Sequence, residues 1–115
     1  MWFLERLLDS AWGKINHWTQ ADWDNFKENG DQFYTKMAES IASGLNPTDQ
    51  SVHDLVHQHY LLISPLWSFD QASYTQLADS YLQDQNFMQL CELYHPKLRQ
   101  FIVEAMQYYA KYHLS

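Results

Sequence analysis

A chain of 115 residues and 13.8 kDa is the size of one domain with its own core, needing no metal or disulfide to staple it. Hydrophobic residues make up 46% and charged residues 18%, a globular rather than disordered balance, and the net charge of −7 argues against direct nucleic-acid binding. The one cysteine, Cys91, excludes an internal disulfide and gives no sign of an oxidising compartment.

The N-terminal run MWFLERLLDSAW is broken by Glu5, Arg6 and Asp9 and lacks a small-residue cleavage site, so it reads as helix rather than signal peptide. No apolar stretch nears the ~18 residues of a membrane span. A soluble cytoplasmic protein with no membrane partner is expected. The first helix is predicted over 2–17, with Leu4, Leu7, Leu8, Ala11, Ile15 and Trp18 on one side. Thr19, followed three residues later by Asp22, reads as an N-cap with a shortened capping box. The second helix then runs from Gln20 to about Ser43, burying Trp23, Phe26, Phe33, Met37 and Ile41, and Gly44 closes it.

Asn46 and Pro47 are expected to cap and open the third helix, whose apolar arc is Val52, Leu55, Val56, His59, Leu62 and Ile63. Ser64-Pro65 ends it, because the residue before proline avoids the α conformation. After an aromatic loop, Leu66-Trp67-Ser68-Phe69, Asp70 caps a fourth helix with Tyr74, Leu77, Ala78, Tyr81 and Leu82 inward. A brief fifth helix holds Phe87, Leu90 and Cys91. Pro96 opens the last, with a stripe of Leu98, Phe101, Ile102, Ala105, Tyr109 and Tyr112. The chain is expected to be all-α and a single domain over 1–115.

Nineteen residues are aromatic: five Trp, eight Tyr and six Phe. Rings bring ~150–250 Å² of surface each, enough to fill a core or to line a cavity for something flat and apolar. Catalytic vocabulary is sparse. His53-Asp54-Leu55-Val56-His57 places two histidines at i and i+4, as zinc sites do, but Asp54 stands where a metalloprotease has Glu and no third ligand is evident. Both histidines fall outside the apolar arc and are expected to face water, with no metal and no cofactor. His59 sits inside that arc and must find a hydrogen-bond partner, in the core or on a ligand. Cys91 has no nearby Lys or Arg to lower its pKa and reads as a buried, inert thiol. Gly30 interrupts the second helix at ~1 kcal/mol relative to Ala, to permit close helix packing or to leave room for a ligand. No active site is expected, and the chain is not read as an enzyme.

The stretch Trp18-Thr19-Gln20-Ala21-Asp22-Trp23, the helix reaching Gly44-Leu45-Asn46-Pro47, and Val52 through Ser64 with His59 inside it together resemble the TipA-type antibiotic-recognition domain. Tyr74, Leu77, Ala78, Asp79 and Tyr81, then Asp84 and Phe87, then Leu98, Phe101, Ile102, Ala105, Tyr109 and Ala110 continue in register, so the likeness covers 18–110. It implies an all-helical, globin-like domain that engulfs large multi-ring peptide antibiotics. Such domains form the effector half of MerR-type transcription activators, and relatives include stand-alone proteins that neutralise albicidin by binding it. The chain has no room for the winged helix and dimerising helix of such a regulator, so it is expected to resemble the stand-alone binders. Thiopeptide-binding members capture drug with a cysteine before the fourth helix. Here Ser68-Phe69-Asp70-Gln71-Ala72 lacks one, which implies reversible binding.

The expected function is sequestration of an albicidin-like or thiopeptide-like antibiotic, conferring resistance without chemistry. The alternative is a drug-sensing effector module of a MerR-type regulator whose DNA-binding part is a separate chain or was lost; formation of a homodimer is left open. The expected ligand lining is Trp18, Trp23, Phe26, His59, Trp67, Tyr74, Tyr81 and Phe101, with His59 and the two tyrosine hydroxyls as polar contacts. Alanine at Trp23 or Tyr74 is expected to weaken binding more than folding.

Overall fold

The computed structural model describes residue 13 and residues 16–64 and 69–114. Among them are five helices and no strand: α1 (Gln20–Ala42), α2 (Gln50–Ile63), α3 (Gln71–Gln83), α4 (Gln85–Glu92) and α5 (Leu98–His113). The helix expected over 2–17 and the loop residues Leu66, Trp67 and Ser68 lie outside the described residues, apart from 13, 16 and 17.

Local chemistry sets most helix ends where the sequence places them. At α1 the Thr19 hydroxyl accepts from the Asp22 N–H (3.3 Å) while the Thr19 N–H donates to the Asp22 carboxylate (2.9 Å), the reciprocal box expected. Its other end is a Schellman turn. Gly44 adopts φ +81°, the Leu45 N–H reaches the Ser40 carbonyl and the Gly44 N–H reaches that of Ile41, both at 3.0 Å. Asp70 and Ser73 form a second reciprocal box at α3, and those Ser73 hydrogen bonds hold the Asp70 carboxyl below its ordinary pKa. Asp84 ends α3 and caps α4, accepting from the Phe87 N–H at 3.0 Å.

The start of α2 corrects the expectation at Asn46-Pro47. The Asn46 carbonyl accepts from the Asp49 N–H (3.0 Å), and the Asp49 carboxylate accepts from the Asn46 N–H (2.7 Å). This closes a four-residue turn with Pro47 at its second position, where a fixed φ is favoured. Asp49, not Asn46, therefore stands at the cap.

The core forms around α5, which packs against each of the other four helices and most extensively against α3. Its buried residues are Leu98, Phe101, Ile102, Val103, Ala105, Met106, Tyr109 and Ala110, far more than one stripe. A helix surrounded on several sides must be apolar over most of its circumference. Val103 and Met106 were outside the expected stripe for that reason. Tyr112, expected inside, is 63% exposed, and Leu82 at the end of α3 is 41% exposed.

Among the described residues Gly30 does not serve close packing: a Cβ built there meets none of them within 4 Å. The helix keeps its propensity cost without a steric reason. Gly30→Ala is expected to stabilise the fold by about 0.5–1 kcal/mol, read as an upward shift in the urea midpoint. A loss of stability would mean that the position has a packing role.

Candidate functional site

The register of α1 places Asn29, Gln32, Phe33 and Lys36 on one flank, and that of α2 places Leu55, Gln58, His59 and Leu62 opposite them. Between the two helices, these eight residues line a cleft of about 270 Å³. That volume is at the lower edge of the ~300–1,000 Å³ of small-molecule sites. It holds a portion of an extended ligand rather than the whole. Two aromatic rings meet at the cleft, those of Phe33 and His59, stacked on one another with centroids 4.7 Å apart and planes 28° from parallel.

His59 is fixed from behind. Its Nδ1 lies 3.0 Å from the hydroxyl of Tyr74, a side chain of α3 with no exposed surface. Burial, and then the neighbouring Tyr109 and Tyr60, raise the Tyr74 pKa, so it stays a phenol with one proton to place. Among the described residues His59 Nδ1 is its one hydrogen-bond partner, so Tyr74 donates and Nδ1 accepts. His59 is then the Nε2–H tautomer. Among the described residues no buried side-chain polar atom lacks a partner and Nε2 makes no hydrogen bond, so that N–H is not sealed in the core. His59 is one of the residues that line the cleft. Desolvation pushes the His59 pKa down to about 4, which keeps the ring neutral at pH 7.

The expected ligand residues fall into three places. His59 lines the cleft, and Tyr74 lies directly behind it. Tyr81 and Phe101 are buried in the core, where the Tyr81 ring stacks on Phe87 at 4.2 Å, so neither reaches the cleft. Trp18, Trp23 and Phe26 form a separate half-buried cluster at the start of α1, with Trp18 edge-on to Trp23 at 4.8 Å and 5.6 Å from Phe26. Trp67 lies outside the described residues. Phe33 is buried in the core as expected and also lines the cleft, a second role that the sequence does not signal, and the polar rim of Asn29, Gln32, Lys36 and Gln58 was not expected at all. A flank of amides and one cation beside an apolar stripe was the signal available, and it looks like any solvated helix face.

His53 and His57 do not face water as expected; they are half-buried against α5. His57 Nδ1 lies 2.7 Å from the Tyr109 hydroxyl, and the His53 ring packs 5.0 Å from that of Tyr109. The arc of α2 is wider than its aliphatic residues suggest, because α5 brings tyrosines that imidazoles can meet. No group of three or more His, Cys, Asp or Glu among the described residues is arranged to hold a metal ion. Cys91 is 1% exposed, and burial pushes its thiol up to about 12, which leaves no nucleophile at neutral pH. No described helix is long and apolar enough to cross a membrane.

The family model described as the TipAS antibiotic-recognition domain matches residues 5–109 of this chain. No curated protein and no solved structure matches it.

Proposed function

The chain belongs to the TipAS antibiotic-recognition family, with the multi-helix, globin-like architecture of such domains, and we propose that it binds a large multi-ring, peptide-type antibiotic and sequesters it unchanged. The stacked Phe33–His59 pair, with Tyr74 fixing the imidazole, is the observation that carries this reading. A planar ring of the ligand extends this aromatic stack with little entropy loss, and the amides at the rim meet the amide bonds that join such rings. Binding is reversible, since the single thiol is buried and held protonated. Sequestration of this kind gives resistance without an enzyme's chemistry.

Titrating the purified protein with a panel of thiopeptide and aryl-oligoamide antibiotics by calorimetry is expected to give saturable one-to-one binding to at least one of them. Mass spectrometry after release is expected to return that compound at its original mass. A changed mass makes the protein an enzyme; absence of binding across the panel removes the reading. A drug-dependent gain or loss of a DNA-bound complex would instead favour the sensing module of a MerR-type regulator.

A further inference from the structure

Three of the six histidines meet at one place outside the cleft. His53 and His57 stand one turn apart on α2, and His113 in the last turn of α5 lies across both, its ring centroid 5.5 and 5.1 Å from theirs. The His113 ring stacks on that of Tyr109 at 4.8 Å, and the Tyr109 hydroxyl is 2.7 Å from His57 Nδ1. Around them, Tyr108 is edge-on to His53 at 6.0 Å, and the Lys111 ammonium sits 5.3 Å over the Tyr112 ring. Asp54 acts on His53 from the same helix, while its carboxylate accepts from the Gln50 amide at 2.9 Å. From α3, Gln71 donates to the Lys111 carbonyl at 3.2 Å and Tyr74 meets Tyr109. α1 meets α2 on its other flank, along the cleft. Among the described residues no ion pair reaches any of the three imidazoles.

One proton suits this place, because the carboxyl end of α5 favours a cation and the face of Tyr109 attracts one. A second proton sets like charges in rings about 5 Å apart, two of them half-buried and so poorly screened. We propose that His53, His57 and His113 form a proton-operated latch, closed while at most one of the three is charged and opened by a second proton, which drives residues 111–114 off α2. That segment is the one that yields. Val52 and Val56 anchor α2 with no exposed surface, and Tyr109 and Ala110 anchor α5, whereas Lys111, Tyr112 and His113 are exposed. The open form takes up more protons than the closed one, so acid favours it, over the range below the ordinary imidazole value of about 6.5. Opening lifts His113 from Tyr109 and leaves the cleft lining in place.

The test follows the ¹³Cα chemical shifts of the intact, isotopically labelled protein from pH 7.5 to 5, with and without the paired changes His53→Gln and His57→Gln. In the unaltered protein the helical shifts of residues 111–113 are expected to fall by at least half, while those of 98–106 hold. In the paired variant residues 111–113 are expected to stay helical throughout, although α5 is unchanged. Should that variant fail to fold, His113→Gln answers the same question, since the side chain is exposed and off the core, and its last turn must then ignore the pH change. A turn that stays helical at pH 5 in the unaltered protein, an equal loss in the variants, or a loss that spreads through 98–106 overturns the latch.

Discussion

Tyr74→Ala is expected to lower the free energy of unfolding by about 3–5 kcal/mol, the cost of emptying a buried aromatic site. The ring has no exposed surface and meets Tyr60, Phe69 and Tyr109 edge-on at 5.6–5.9 Å. A domain of this size has ~5–15 kcal/mol to lose, so the variant retains only a fraction of its stability. Tyr74→Phe separates the two jobs of the residue. It keeps the ring and removes the hydroxyl, leaving His59 Nδ1 without its donor, at about 1–2 kcal/mol. The imidazole is then free to take either tautomer, and ligand affinity is expected to drop severalfold although the fold survives. Urea unfolding and calorimetric titration of both variants check this pair. Full burial of the ring changes the expectation for alanine at Tyr74: folding is expected to lose at least as much as binding, and Tyr74→Phe is the variant that reads binding with the fold intact. Trp23→Ala differs: the ring is half-buried, and losing its edge contact with Trp18 is expected to cost only about 1 kcal/mol.

Lowering the pH from 7 to 5 is expected to remove about 1–2 kcal/mol of stability through His59. In the unfolded chain the imidazole takes up a proton near pH 6.5, whereas in the folded protein desolvation delays this until about pH 4. Between those values the unfolded state binds more protons, so stability rises with pH. The contribution is fully present above about 6.5 and is lost as pH falls towards 4. The full shift would give about 2 kcal/mol at pH 5, and the ring edge open to the cleft reduces it. His53 works in the same direction: desolvation, then His113 and His57, lower its pKa against the opposing pull of Asp54. Asp70 titrates below this window and does not blur it, its folded carboxyl being held under the ordinary value of 3.8. His59→Gln keeps an acceptor for the Tyr74 hydroxyl and removes the titration. Its unfolding midpoint is expected to fall less between pH 7 and 5 than that of the unaltered protein. An undiminished fall would place the pH dependence elsewhere.

The fold was legible wherever the signal was local. Thr19, Gly44 and Asp70 set helix ends through groups three to five residues away, and each does so in the structure. α2 ends at Ser64 as expected, but Ser64 itself adopts the α conformation (φ −62°, ψ −29°), so avoidance of that conformation before Pro65 is not what ends the helix. Periodicity found the aliphatic cores of α2 and α3 because Val52, Val56, Leu77 and Ala78 have one neighbourhood each. It faltered on α5, which is enclosed from several sides and so has no single stripe. Asn46-Pro47 failed because the Asp49 N–H goes to the Asn46 carbonyl and the Asp49 carboxylate accepts from the Asn46 N–H, which closes a turn where the helix was expected to start. The site was less legible than the fold. His59 was visible as a polar group in an apolar arc, and its Tyr74 partner was picked without knowledge of their contact. The aromatic residues chosen beside them were selected for size, and size does not distinguish a wall from a core. Tyr81 and Phe101 are buried for the same reason that made them conspicuous. The cleft lies between α1 and α2, a tertiary property that neither helix carries in its own pattern.

The most direct measurement is the chemical-shift response of the isotopically labelled protein as an antibiotic from the panel is added to saturation. Binding in the cleft predicts that the largest shifts fall on Phe33, Leu55 and the His59 ring, with a slowed exchange of the His59 Nε2 proton. Saturable binding that leaves those three unmoved and shifts only Trp18, Trp23 and Phe26 would contradict this placement of the site.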